Sequence, residues 1–228
     1  MIGTSLNCIN CENACIKELF EKETIIFFKS CVRQVHYRKG ETILKQGTFA
    51  DNILFLRKGL VKLILESNTG KETIFKLAST NSFVGLSVLF AGDFVPFSVV
   101  ALKDCDVCFI KKELMEEQLL GSKIATEFVL TSYNKESLFL LKKISVISTR
   151  NNHGKLAEAL IYTASQELKD EKATQFLTRN DWADLASISL ESTNKILSEL
   201  KNDLIIKITN EGLEICKIDL LLRLSRIG

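Results

Sequence analysis

Proline is almost missing from this chain: its 228 residues hold one, Pro96, and it sits just before an expected strand start, where a missing N–H does little harm. Tryptophan is equally scarce, with Trp182 alone, and there are two histidines, His36 and His153. Neither histidine has a second metal ligand near it in pattern, so an imidazole-based metal or haem centre is not expected. No apolar run is long enough to cross a bilayer, so no membrane partner is expected. The segment MIGTSLNCINC has no basic stretch followed by an apolar one, which argues against a secretory signal and predicts a cytoplasmic protein. Catalytic signatures are absent too. There is no GxSxG, P-loop, HExxH or histidine–carboxylate grouping, and the chain is not expected to be an enzyme. No internal repeat or low-complexity segment occurs.

What is present suits one or two globular domains: 46% of residues are hydrophobic and 25% are charged. The net charge of +2 neither demands nor excludes nucleic acid. Seven cysteines, an odd number, suggest metal, redox or plain buried thiols rather than a disulfide framework.

Texture changes along the chain. From Val35 to Phe109, glycines punctuate short runs such as Asn52–Arg57, Leu60–Leu65, Glu72–Leu77, Phe97–Ala101 and Asp106–Ile110. Val61, Leu63 and Leu65 alternate with Lys62, Ile64 and Glu66, and Asn68–Gly70 supplies a hairpin turn. Strands at this spacing predict a barrel or sandwich. From about Lys111 the pattern is helical, with neither Gly nor Pro between Ser122 and Ser148. Leu130, Tyr133, Leu140, Ile144 and Ile147 fall on a 4-3 repeat with Ser137 in the seam, and Leu138 and Leu141 widen the stripe. Such a stripe on a long helix predicts a two-stranded interface, with a connector helix packed on its own barrel as the alternative. Asn151–Gly154 then breaks the chain before a helix from about Lys155 to Leu168.

The most informative segment runs from Thr178 to Ile208. Thr178 with Asp181 forms a capping-box pattern, and Ser189 repeats the start signal before a second helix. Ile196, Leu197 and Leu200 share one face of that helix, while Glu191, Asn194 and Lys195 share the other. A helix that buries one side and offers acceptors and donors on the other suits a DNA major groove. The plainer reading is an αα-hairpin, and the local charge favours neither: four Lys/Arg stand against five Asp/Glu between Thr178 and Thr209. Leu204–Ile208 and Leu213–Lys217, joined through Asn210-Glu211-Gly212, read as a hairpin wing, and a last helix covers Ile218–Arg226.

The order of these parts, with KGETILKQG at Lys39–Gly47, ILFLRKGLVKL at Ile53–Leu63, FVGLSVLFAG at Phe83–Gly92 and TRNDWADLASISLESTNKIL at Thr178–Leu197, resembles the CRP/FNR family of bacterial transcription regulators, on the FNR-like side. The resemblance implies an α+β fold: a cyclic-nucleotide-binding-like β-roll (jelly roll), a long dimerisation helix and a C-terminal winged helix-turn-helix. The corresponding divisions are a cysteine-containing arm at 1–18, the β-roll at 19–120, the dimerisation helix at 121–150 and the DNA-binding domain at 151–228. It also implies a cytoplasmic homodimer on a two-fold symmetric double-stranded DNA site, with RNA polymerase as a partner. By position, Glu191 and Lys195 correspond to base-reading residues, and Asn194 occupies a position that contacts bases in some members. Thr178, Asn180, Ser189 and Ser192 match phosphate-contacting positions. The alternative for Glu191 and Lys195 is a surface i, i+4 ion pair. Leu190 stands where the cyclic-AMP branch has an arginine, and Ser187-Ile188-Ser189 replaces a turn that often carries glycine in the family. For the whole chain, the alternative function is a non-catalytic adaptor whose β-roll binds a small ligand or a protein.

The signal is a separate question. Cyclic-nucleotide binders of the family hold ribose with a glutamate and phosphate with an arginine. Here Leu86 replaces the glutamate, and Pro96, Phe97 and Ser98 offer no arginine, which disfavours cyclic AMP. Cys8, Cys11 and Cys15 with Cys108 resemble the ligand set of the [4Fe–4S] cluster in the oxygen-sensing branch, although the third arm cysteine lies closer than usual. Zinc on Cys105 and Cys108, or thiols with no ligand, are the other readings. Strand parity opposes the zinc pair unless Cys105 lies in the preceding turn.

Overall fold

The computed structural model describes residues 33–89, 92–165, 168, 173–209 and 212–228. The arm with Cys8, Cys11 and Cys15 lies outside the described residues. One compact unit runs to Val61 and resumes over Ala78–Leu138; the other takes Lys62–Leu77 and Phe139–Gly228.

The strands are β1 (Arg33–Tyr37), β2 (Thr42–Leu44), β3 (Asn52–Lys58), β4 (Leu60–Glu66), β5 (Glu72–Ser79), β6 (Ser82–Val84), β7 (Ser98–Ala101) and β8 (Cys105–Lys111). Each run expected to be a strand is one, within two residues at either end. The strands β1, β2 and β6 are sheet edges. One sheet has the order β1-β8-β3-β6, all antiparallel, with Gln34 opposite Cys108, Phe55 opposite Cys108 and Phe55 opposite Phe83. The second has the order β2-β7-β4-β5. The β3 residues Ile53, Leu54, Phe55 and Leu56 are all buried, so both faces of this central strand are covered and alternation disappears. In β4, Val61 and Leu63 are buried as the alternation predicts, but Ile64 is buried too and Leu65 is exposed. Gly59 joins β3 to β4 at φ +124°, and a Cβ there would lie 2.3 Å from Cys105 Sγ, so this connection requires glycine.

Two helices follow, α1 (Lys112–Gly121) and α2 (Lys123–Thr149), separated by the extended residue Ser122. The residues expected in the interface stripe differ in exposure. Leu130, Leu138, Leu141 and Ile144 are 57–67% exposed. Tyr133, however, turns its hydroxyl into its own chain, donating to the carbonyls of Leu86 and Leu89. Leu140 and Ile147 are half-buried, and Ser137 is exposed. The open stripe is therefore centred on Leu130, Ser137/Leu138, Leu141 and Ile144, which makes the two residues expected to widen the seam part of its middle. On the same helix, Phe128 meets the ring of Phe83 edge to face, 5.8 Å apart.

The second unit contains α3 (Asn152–Thr163), a 3-10 turn (Ala173–Phe176), α4 (Arg179–Ala186), α5 (Leu190–Asn202), the strands β9 (Ile206–Thr209) and β10 (Gly212–Ile215), and α6 (Ile218–Ile227). Asn151 caps α3 by accepting from the Gly154 N–H, and the helix stops at Thr163, earlier than its apolar pattern suggests. α3 is the central element and packs on α4, α5 and α6 through Leu156, Ala157 and Leu160. The Lys62–Leu77 segment is tied to this helical cluster by polar groups. Tyr162 Oη accepts from the Leu77 N–H at 3.0 Å, and Lys143 Nζ donates to the carbonyls of Ile74 at 2.8 Å and Leu185 at 3.0 Å.

Burial lowers the pKa of Lys143 from 10.5 to about 8. Between these values the folded chain has released a proton that the unfolded chain still holds, so this residue makes stability rise with pH from about 8 towards 10.5. Denaturant unfolding at pH 7 and pH 10 should show the native protein gaining about 2 kcal/mol relative to Lys143→Met, at roughly 1.4 kcal/mol per pKa unit. A pH-independent difference between the two proteins would contradict the assignment.

Candidate nucleic-acid interface

α4 begins at a complete capping box. Thr178 Oγ1 accepts from the Asp181 N–H at 3.1 Å, and the Thr178 N–H donates back to Asp181 Oδ2 at 2.8 Å. Thr178 Oγ1 also donates to Oδ2, at 2.6 Å. The other carboxylate oxygen, Oδ1, accepts from Lys62 Nζ at 2.6 Å. Burial raises the Asp181 pKa, but the bonds from Lys62 and Thr178 outweigh it, and the net shift is downward. Trp182, the next residue, is buried with Leu185 and Ala186 on the inner face of α4.

The turn between α4 and α5 is a Schellman-type stop. The Ile188 N–H donates to the Ala183 carbonyl at 3.0 Å and the Ser187 N–H to the Asp184 carbonyl at 3.3 Å. Ser187 takes the left-handed conformation at φ 56°, ψ 43°. The missing glycine thus leaves the turn intact at the expense of local strain, and the buried Ser187 Oγ finds no hydrogen-bond partner among the described residues. Ser189 then caps α5, accepting from the Ser192 N–H at 3.1 Å and donating to Ser192 Oγ at 2.9 Å.

α5 divides cleanly. Thr193, Ile196, Leu197 and Leu200 are buried, whereas Glu191, Asn194, Lys195 and Ser198 are exposed and recur at helical spacing along the outer face. No ion pair joins Glu191 to Lys195 among the described residues, so both charged groups remain available to a ligand. Of the positions matched to phosphate contacts, Thr178, Asn180 and Ser189 are exposed at the two helix starts, and Ser192 is half-buried. The Ser192 hydroxyl also accepts from Asn152 Nδ2 at 3.3 Å, and His153 Nε2 lies 2.8 Å from Glu199 Oε2. These two contacts brace the start of α3 against α5.

The wing is the β9–β10 hairpin, with Thr209 opposite Gly212 and Ile206 opposite Ile215. Its strands are four residues each, shorter than expected at the outer ends. Gly212, at φ +127°, passes so close to the 3-10 turn that a Cβ would lie 2.5 Å from Gln175 Cα. Sequence reasoning did not anticipate that approach.

In the β-roll, Gly85 starts a 3-10 turn at φ 84°, followed by the buried residues Leu86 and Val88. Phe97 is buried as well, and the buried Ser98 Oγ accepts from the Gln46 N–H at 2.9 Å. The side chains at the positions expected to recognise ribose and phosphate are thus apolar or already bonded within the chain. Cys105 is the first residue of β8, not part of the preceding turn, so it and Cys108 point to opposite faces of the strand. Cys105 Sγ donates to the Lys103 and Leu60 carbonyls, and desolvation raises its pKa. This is the strand placement that opposes a Cys105–Cys108 zinc pair. Cys108 is buried in the strand between Gln34 and Phe55. Among the described residues no three His, Cys, Asp or Glu side chains are grouped to hold a metal, and no helix is long and apolar enough to cross a membrane.

Comparison with known proteins assigns both modules. A cyclic nucleotide-binding domain matches residues 34–121 and a Crp-like helix-turn-helix domain matches residues 154–224. The chain is 23% identical to the transcriptional activator protein Anr of Pseudomonas protegens over 186 residues, covering 80% of this chain and 75% of that protein. It is also 23% identical to the cAMP-activated global transcriptional regulator CRP of Pasteurella multocida, covering 80% of this chain and 90% of that protein. Its fold matches the structure of FixK2 from Bradyrhizobium japonicum with a TM-score of 0.76 at 17% identity, covering 85% of this chain and 97% of that one. A β-rich cyclic nucleotide-binding-type module followed by a long helix and a helix-turn-helix defines a class of transcription regulator, not of enzyme. The chain belongs to the CRP/FNR family, and relatives from both of its branches stand at the same identity.

Ser187 offers a direct test of the turn. Ser187→Gly removes both the left-handed strain and the unpaired hydroxyl, and should raise stability by about 1 kcal/mol, seen as a higher melting temperature. A lower melting temperature would contradict the turn geometry described above.

Proposed function

We propose that this protein regulates transcription by binding, as a homodimer, a two-fold symmetric site on double-stranded DNA, with α5 of each subunit in the major groove. The observation that carries this reading is the outer face of α5: Glu191, Asn194 and Lys195 are exposed together, opposite the buried Thr193, Ile196, Leu197 and Leu200. A carboxylate accepts from the cytosine amino group, an amide pairs with adenine, and an ammonium meets the guanine acceptors. Thr178, Asn180, Ser189 and Ser192 fix the register on phosphates, helped by the free N–H groups at the starts of α4 and α5. The exposed Leu130, Leu138, Leu141 and Ile144 of α2 supply the apolar surface for pairing two subunits. RNA polymerase is the partner through which such a cytoplasmic regulator acts.

The signal in this reading is redox or a small molecule other than cyclic AMP. Leu86 and Phe97 would leave a cyclic phosphate without a cation in an apolar surround, at prohibitive desolvation cost. A [4Fe–4S] cluster on Cys8, Cys11, Cys15 and Cys108 would supply oxygen-sensitive chemistry to the same β-roll. Iron and sulfide analysis of anaerobically purified protein decides that assignment, and a colourless, iron-free preparation ends it.

Single substitutions Glu191→Ala and Lys195→Ala should each weaken binding to a selected two-fold symmetric duplex by about 1–3 kcal/mol in a gel-shift titration, with little change on non-specific DNA. Unchanged affinity in both variants would refute the assigned reading face. Cyclic AMP at about 1 mM should leave the melting temperature where it was, since a ligand that does not bind the native state cannot stabilise it. An upward shift of several degrees would show that the β-roll accepts the nucleotide.

A further inference from the structure

The DNA-reading module is held by a residue that does not belong to it. Lys62 lies on β4, more than a hundred residues before α4, yet its ammonium is bonded to Asp181 Oδ1 at 2.6 Å with both side chains largely shielded from solvent. The two oxygens of Asp181 have separate tasks. Oδ2 closes the capping box with Thr178, and Oδ1 is given over to Lys62. At the other end of α4, Lys143 Nζ bridges the Leu185 carbonyl to the Ile74 carbonyl of β5. The segment Lys62–Leu77 therefore grips both ends of α4, and Tyr162 on α3 secures its far end through the backbone of Leu77. None of these bonds covers Glu191, Asn194 or Lys195, which stay exposed. The grip sets where α4 starts and ends without masking the reading face.

We propose that Lys62 is a positioning residue for DNA recognition: through Asp181 it fixes the first turn of α4, and with it the angle at which α5 is presented. This rests on the DNA-binding reading above. The physical argument is one of rigidity. α4 spans eight residues and is followed at once by the tight Ser187 turn, so a shift at its start passes directly to α5. A charge-assisted bond to a shielded carboxylate resists that shift far better than the cap hydrogen bonds alone.

The test uses the full chain and a duplex that the wild-type protein selects from random-sequence DNA, with poly(dI-dC) as the non-specific competitor. Affinities for both are measured well below the melting temperature of each variant. Lys62→Met should lower the ratio of specific to non-specific affinity by about tenfold, in the range of coupling between linked sites, and Lys62→Arg should restore it. Simple destabilisation would change the melting temperature but not that ratio. Emission from Trp182, next to Asp181 and the chain's one tryptophan, should differ from wild type in Lys62→Met and match it in Lys62→Arg. If Lys62→Met does not fold, Lys62→Gln, which keeps a donor but no charge, takes its place with the same expected fall in ratio. An unchanged ratio in a folded Met or Gln variant overturns the positioning role. Failure of the wild-type protein to select any duplex would instead sink the DNA-binding reading itself.

Discussion

The orientation of α5 depends on the apolar seam that α4 and α5 share with α3. Trp182, Leu185, Ile196, Leu197 and Leu200 are buried in it with Leu156 and Leu160. Because a helix can bury only one stripe, that seam decides which residues of α5 are left outside. Rotating α5 about its axis to hide Glu191 or Lys195 would expose Leu197 or Ile196 and leave a buried charge without a partner. The chemical character of the outer face is therefore a consequence of the inner one.

Polar groups complete what the apolar seam begins. Apolar packing is tolerant of small slides, whereas hydrogen bonds to a carboxylate or a carbonyl are directional. The capping box at Thr178, the Schellman stop at Ser187 and the second cap at Ser189 fix the ends of α4 and the start of α5. Lys62 and Lys143 attach this frame to β4 and β5. The wing is set by a different device, the close passage of Gly212 over Gln175. The caps join near neighbours, whereas the Lys62, Lys143 and Gly212 contacts join residues far apart in sequence, and together they turn a loose pair of helices into a defined surface.

The two units put different demands on their residues. In the β-roll, Leu86, Val88 and Phe97 are committed to burial and Ser98 to a backbone bond. Cys105 and Cys108 are both buried but face opposite sides of one strand, which separates them chemically despite their nearness in sequence. On α2, Tyr133 is engaged within its own unit, and five large apolar side chains, Ile124, Leu130, Leu138, Leu141 and Ile144, are left in the open.

Much of this was legible in the sequence because it is local. The caps at Thr178 and Ser189, the two faces of α5, the major strand runs and the absence of charge at Leu86 and Phe97 depend on residue type and spacing within a few positions, and local sterics and periodicity decide them. Other features were not legible. The alternation expected in β4 failed at Ile64 and Leu65, and the Tyr133 hydroxyl on α2 was bonded within its own chain, because burial there is set by what packs from elsewhere in the chain. The role of Asp181 was half visible: its spacing from Thr178 announced a cap, but nothing near it announced Lys62. Sequence alone determined most of the elements and the chemistry each face could offer. Tertiary structure decided which long-range groups meet, since a strand lysine and a helix aspartate acquire a common function only when folding brings them within bonding distance and shields them from water.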